Sequence, residues 1–142
     1  MLKKVNKVIN KEGGEKTVVF SGSRMTNIKT NLTEPYIIKK DTFHSNIPSK
    51  DTYVSPMHKI YTDDYGLKEV RYLAKHYKNK IVKSDMTPPY IYYTIVLEDH
   101  DSYLANNMPV ESMPKENKKM YEFISKNNLK IQKIDKDIGK DL

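Results

Sequence analysis

The sequence predicts a small α+β core of two helices and a few strands, preceded by a long extended, irregular N-terminal half. Three observations lead there. Regular apolar periods are concentrated after Gly66, prolines and isolated tyrosines interrupt the stretch from Pro35 to Gly66, and the 142 residues hold only 37% hydrophobic against 30% charged residues. A soluble domain usually carries roughly 45–50% apolar residues, counted with glycine, so this chain sits between a globular domain and a disordered one. Its length allows one domain with little left for a second core.

Along the chain, residues 1–16 are lysine-rich with a break at Gly13–Gly14 and read as a flexible basic arm. Thr17 to Phe20, TVVF, is a short strand candidate ended by the turn-forming Ser21-Gly22-Ser23. The rest of 17–65 reads as an extended binding segment, because Pro35, Pro48 and Pro56 remove backbone donors and push their predecessors toward extended conformations. Within it only Tyr36 to Ile38, YII, has strand character. The α+β core is placed at 66–134. It opens with a helix capped by Asp63 or Asp64, whose apolar positions Leu67, Val70, Leu73, Ala74 and Tyr77 recur at helical spacing. Tyr90 to Leu97, YIYYTIVL, is the strongest strand, rich in aromatic and β-branched residues. A second helix is signalled from Ser112 to Asn128, with Pro114 in its first turn and Met113, Met120, Phe123 and Ile124 along one face. Leu129 to Ile134 alternates as an edge strand, and 135–142 is a charged tail. The expected buried set is Leu67, Val70, Leu73, Ile91, Ile95, Leu97, Phe123 and Ile124.

Net charge is +7 and pI about 9.3, which draws the chain toward acidic protein, nucleic acid or anionic surfaces. Lysine supplies nearly all of it. Arg24 and Arg71 are the only arginines, so bidentate reading of guanine edges is disfavoured. Lys115, Lys118, Lys119, Lys126, Lys130, Lys133 and Lys136 could together form a basic strip for phosphate, although such lysines usually form a solvated face. The absence of cysteine excludes disulfides and thiolate chemistry within these residues and fits a reducing compartment. No apolar run approaches the roughly 18 residues that span a bilayer, and the charged start lacks the apolar stretch of a signal peptide, so a soluble, cytoplasmic chain is expected.

Chemical motifs are sparse. Phe20 to Arg24 resembles the start of a phosphate-binding turn, but no second glycine or Lys-Ser/Thr pair completes it. Glu98-Asp99-His100-Asp101 is the richest ligand set, and a polar turn closing a strand accounts for it. His44, His58, His76 and His100 show no metal-ligand spacing. His58, between Pro56 and Tyr61, reads as a contact residue, because a histidine with no orienting partner is not a general base. Capping accounts for Asp63 and Asp64, and an exposed helix face for Glu69. No catalytic residue, cofactor or metal is predicted, and the chain is expected to be no enzyme.

Tyrosine is the remaining signal. Tyr53, Tyr61 and Tyr65 are separated by polar residues, and tyrosines are favoured at interfaces because a rigid ring gives large contact area for little entropy. Asp51 to Gly66, DTYVSPMHKIYTDDYG, resembles the short Tyr-x3-Tyr-Gly phrases of small microtubule inner and microtubule-associated proteins of cilia and flagella, and Tyr61 to Gly66 is similar to the tyrosine-glycine segment of the Pierce type. The resemblance implies a non-enzymatic scaffolding chain laid along an acidic filament, tubulin, and located in the cytoskeleton, with Tyr61, Tyr65 and Gly66 as filament contacts. Tyr53 and His58 join them as partner-binding candidates. A basic nucleic-acid-binding or anti-defence protein of a mobile element is the alternative. A second likeness, of PPYIYYTIVLED and ENKKMYEFISKNNL to gyrase-inhibitor-like sensor domains, implies a small-ligand-binding α+β fold. The sequence does not specify an oligomeric state.

Overall fold

The computed structural model describes residues 7–113. They form ten strands and one helix of four residues, in the order β1 (Lys7–Ile9), β2 (Glu15–Thr26), β3 (Tyr36–Ile38), β4 (Thr52–Val54), β5 (Lys59–Thr62), β6 (Gly66–Glu69), α1 (Val70–Leu73), β7 (Ile81–Lys83), β8 (Tyr90–Leu97), β9 (Ser102–Ala105) and β10 (Met108–Glu111). These build three antiparallel sheets with orders β1-β2-β8, β6-β5-β10-β9 and β4-β3-β7. The expected α+β class is therefore wrong for the described residues: the fold is all-β.

The N-terminal half that was expected to be irregular supplies five of these strands and much of the core. β2 does not stop at the Ser21-Gly22-Ser23 turn signal. It runs on to Thr26, pairing Ser21 with Ile95 and Gly22 with Thr94, and a bulge at Val19 shifts the register between Val18 and Phe20. The extra residue turns Val19 outward, 45% exposed, and lets Phe20 point inward. Turn-type residues are accepted here because β2 is the central strand of its sheet and long-range pairing overrides local preference. Within the expected arm, Lys7 to Ile9 pairs with β2 through a tight connection held by one side chain. Asn10 Oδ1 accepts from the Glu12 and Gly14 amides at 3.1 and 2.7 Å, and Gly13 takes φ +90°, a conformation glycine enters without a Cβ clash.

The first expected helix is mostly strand. Leu67 lies on β6 opposite Tyr61, and helical backbone begins only at Val70. Gly66, with φ +74°, closes the β5–β6 hairpin instead of opening a helix, and Asp63 and Asp64 lie in its loop. Thr62 Oγ1 accepts from the Tyr65 amide at 3.0 Å and donates to the Gly66 carbonyl at 3.0 Å. The loop itself is three residues, Asp63 to Tyr65, a short length common in hairpins, and the left-handed Gly66 opens β6. The Tyr-x3-Tyr-Gly phrase is thus a hairpin turn.

Ile38, Val54, Ile60, Val70, Leu73, Leu97 and Val110 are fully buried and form one cluster with Ile81, Ile95, Tyr103 and Met108. Strand alternation places them: β4 buries Thr52 and Val54 and β10 buries Met108 and Val110, every second residue. Of the expected buried set, Val70, Leu73, Ile95 and Leu97 are interior, Leu67 is intermediate, and Ile91 is 44% exposed. Phe123 and Ile124, with the second helix beyond Met113, the edge strand and the tail, lie outside the described residues.

Candidate functional site

His58 occupies a corner between two sheets. β4 belongs to one and β5 to another, and the chain passes between them through Ser55-Pro56-Met57-His58, where the His58 amide donates to the Ser55 carbonyl at 3.2 Å. Proline as the second residue of such a turn presets its backbone. The start of α1 clamps the corner: the Val70 amide donates to His58 O and the Arg71 amide to Pro56 O, each at 2.9 Å. The first amides of a helix have no intrahelical acceptor, so helix start and turn satisfy each other.

Beside this corner lies a cleft of about 510 Å³. β2 and β8 supply one wall, and Ser55, His58, Tyr103 and Ser112 belong to the other. Two of its lining residues each carry a buried polar atom without a hydrogen-bond partner, the Nε2 of His58 and the hydroxyl of Tyr103. His58 as a residue keeps some surface, but this nitrogen has none. Burial depresses its pKa to about 4, outweighing a hydrogen bond with the Glu111 backbone that favours the charged form. Because Nε2 is unpartnered, that bond belongs to Nδ1, which donates to the Glu111 carbonyl. The ring is thereby held neutral, in the tautomer whose Nε2 carries a lone pair.

Tyr103 is fully buried, and burial raises the pKa of its hydroxyl, so it keeps its proton at neutral pH. In β9 it pairs with Val110, which pairs with Ile60 in β5. Leaving such a polar atom unpaired in an interior costs about 1–3 kcal/mol.

The far end of β10 is braced by a second network. Asp101 Oδ2 accepts from Asn10 Nδ2 at 3.0 Å and forms an ion pair with Lys16 Nζ at 3.3 Å, while Oδ1 accepts from the Ser102 amide at 2.6 Å. Burial raises the Asp101 pKa, but the bonds from Asn10, Ser102 and Lys16 outweigh it and hold the carboxyl below its ordinary value. His100 Nε2 lies 2.9 Å from Glu111 Oε2. Glu98 to Asp101 is the polar turn expected from sequence, and no group of three metal-ligating side chains occurs among the described residues. Nor is any helix among them long and apolar enough to cross a membrane.

The partner-binding candidates do not form one surface. Tyr53 pairs with Ile37 inside the β3–β4 ladder. Tyr61 lies on β5 with Lys11 Nζ 5.5 Å from its ring centroid. Tyr65 packs against Tyr72, His76 and Tyr77, at centroid separations of 6.3, 4.6 and 5.9 Å. Gly66 serves its hairpin, and His58 alone reaches the cleft. Tyr103 was not singled out from sequence, since a tyrosine in a strand carries no mark of an unpaired hydroxyl.

Comparison with family models matches the model of the Hint domain to residues 1–117, which include the all-β frame and the cleft beside His58. The chain belongs to the Hint-domain family. Comparison with curated proteins and with solved structures gives no match. The family overturns the expected microtubule scaffolding role: the residues that carried that resemblance build β4, the His58 corner, β5 and the Gly66 hairpin of a Hint domain. The gyrase-inhibitor-like reading fails with the α+β fold that it implied, because YIYYTIVL pairs with β2. The expectation of no activity gains no support either, since Hint domains are often self-splicing or autoprocessing.

Proposed function

We propose that the chain is an autoprocessing domain that rearranges a peptide bond of its own polypeptide in the cleft beside His58. The observation that carries this is the buried, neutral, unpartnered Nε2 of His58, with its tautomer set by the Glu111 carbonyl. Breaking a peptide bond from within needs a nucleophile, a proton carrier and a place for the amide that excludes water. In the step assigned here, a hydroxyl or thiol beside the scissile bond gives its proton to Nε2 as its oxygen or sulfur attacks the carbonyl carbon. The carbon–nitrogen bond then breaks, and the departing nitrogen takes that proton back from the imidazolium. The products are an ester or thioester and a free amine, with His58 restored and no external reactant consumed. Because the site disfavours the charged ring, the imidazolium is a strong acid for the leaving nitrogen. These 142 residues hold no cysteine, so a nucleophile drawn from them is a serine or threonine hydroxyl.

The test is a fusion carrying a reporter domain ahead of Met1, followed by intact mass and gel analysis with and without hydroxylamine, which cuts esters and leaves amides intact. Hydroxylamine-dependent or spontaneous cleavage in the wild type, lost in His58→Ala, is expected. A wild-type fusion that stays whole under both conditions overturns the reading.

A further inference from the structure

We infer that Leu32 and Met57 set the specificity of the cleft, which selects a polypeptide segment with a large apolar side chain, rather than a basic one, beside the bond to be rearranged. The inference rests on the autoprocessing reading and adds the kind of sequence that the cleft accepts.

Leu32 is 51% and Met57 50% exposed, and both line the cleft. One exposed apolar residue is ordinary. Two on the same concavity, the second adjacent to His58 in the chain, leave apolar surface where a bound segment covers it. Leu32 is held in place by its neighbours. In its turn the Glu34 amide donates to the Thr30 carbonyl at 3.0 Å, and the Leu32 amide donates to Thr30 Oγ1 at 3.1 Å. Side chains from two sheets then grip the same turn. The Tyr92 hydroxyl on β8 donates to the Thr33 carbonyl at 2.6 Å, and Lys83 Nζ on β7 donates to the carbonyls of Asn31 and Glu34 at 3.0 and 3.2 Å. A leucine on a turn so fixed loses little backbone freedom when a ligand covers it. Met57 lies in the corner turn clamped by the Arg71 amide on the Pro56 carbonyl, and its thioether side chain adapts to apolar groups of differing shape.

Charge supplies the discrimination against basic segments. Of the charged residues on the lining, Arg24 and Lys59 are cationic, and the one carboxylate, Glu111, has its Oε2 held by His100 at 2.9 Å. An entering lysine or arginine meets like charge and an acceptor already engaged.

Intact mass locates the bond cut in the reporter fusion, and the residue preceding it is then set to leucine or lysine for single-turnover measurements. Leucine is expected to exceed lysine by about 10-fold or more. Leu32→Asp, at an exposed position, is expected to keep the melting temperature and reverse that order. Rates for leucine and lysine within about twofold of each other overturn the inference, as does a leucine preference that survives Leu32→Asp. Should the wild-type fusion stay whole, the full chain carrying ¹³Cε-methionine is titrated with N-acetylleucine N-methylamide and, separately, with its lysine counterpart. A shift of the Met57 methyl resonance, identified by its loss in Met57→Leu, with the leucine compound alone sustains apolar selection while the autoprocessing reading fails. No shift, or equal shifts with the two compounds, overturns both.

Discussion

Asp101 and Ser112 hold each other across the β9–β10 hairpin: the Ser112 amide donates to the Asp101 carbonyl at 2.9 Å, and the Asp101 amide donates to Ser112 Oγ at 3.2 Å. This pair joins the edge of the cleft to the carboxylate that also takes Asn10 and Lys16, so the β1–β2 turn and the site share one anchor.

Asp101→Ala removes the acceptor for Asn10, Ser102 and Lys16 together. Hydrogen bonds to charged groups are worth about 1.5–3 kcal/mol, and a loss of about 2 kcal/mol in urea unfolding is expected. Amides of residues 10–14 should also exchange faster with deuterium. Unchanged protection there would show that the turn stands without the carboxylate.

The stability of the fold should depend on pH through His58. Its pKa falls from 6.5 in the unfolded chain to about 4 in the fold. Above pH 6.5 both states hold the ring neutral and nothing is gained or lost. Between about pH 6.5 and 4 only the unfolded chain takes up the proton, so stability declines as pH falls through that window, by on the order of 3 kcal/mol at most. Chemical denaturation at pH 7, 5.5 and 4 should show the decline in wild type and a much flatter profile in His58→Gln. Asp101 acts in a lower window, below the ordinary carboxylate pKa of 3.8.

Core truncations should rank by burial. Leu73→Ala and Ile60→Ala each empty a fully buried site and should cost about 2–5 kcal/mol. Leu32→Ala, at a residue 51% exposed, should stay within about 0.5 kcal/mol. Equal midpoints for the three variants would refute the division between core and surface.

At Gly66 a substituted side chain would meet no atom within 4 Å, so its cost is purely conformational. Gly66→Ala should destabilise by about 1 kcal/mol through the left-handed backbone, whereas Gly66→Asn, which tolerates that region better, should cost less. Thermal melts of the two distinguish conformational from steric cost.

Two strands were legible at their observed bounds. β3 and β8 are runs of aromatic and β-branched residues between turn signals, where local preference and tertiary pairing agree. The reading failed where they disagree. Leu67, Val70, Leu73, Ala74 and Tyr77 recur at helical spacing although the first belongs to a strand, because a strand end followed by one helical turn produces the same intervals. Gly13–Gly14 signalled flexibility, yet Asn10 holds the turn through its own side chain. His58 shows no orienting partner in the sequence. That partner is a main-chain carbonyl 53 positions away in sequence, which no side-chain motif records. Tyr103 gave no signal, since a missing partner is a property of the folded interior.

The pairing of β2 with β8 joins Val18 to Leu97 and Thr26 to Tyr90, and both strands wall the cleft. A ribosome must therefore release almost the whole domain before the wall can close, and contacts so distant in sequence form slowly. During synthesis the histidine emerges long before its surroundings, solvated and titrating as in any loose peptide. Topology thus acts as a timer: the wall of the cleft is complete only once β8 has docked on β2.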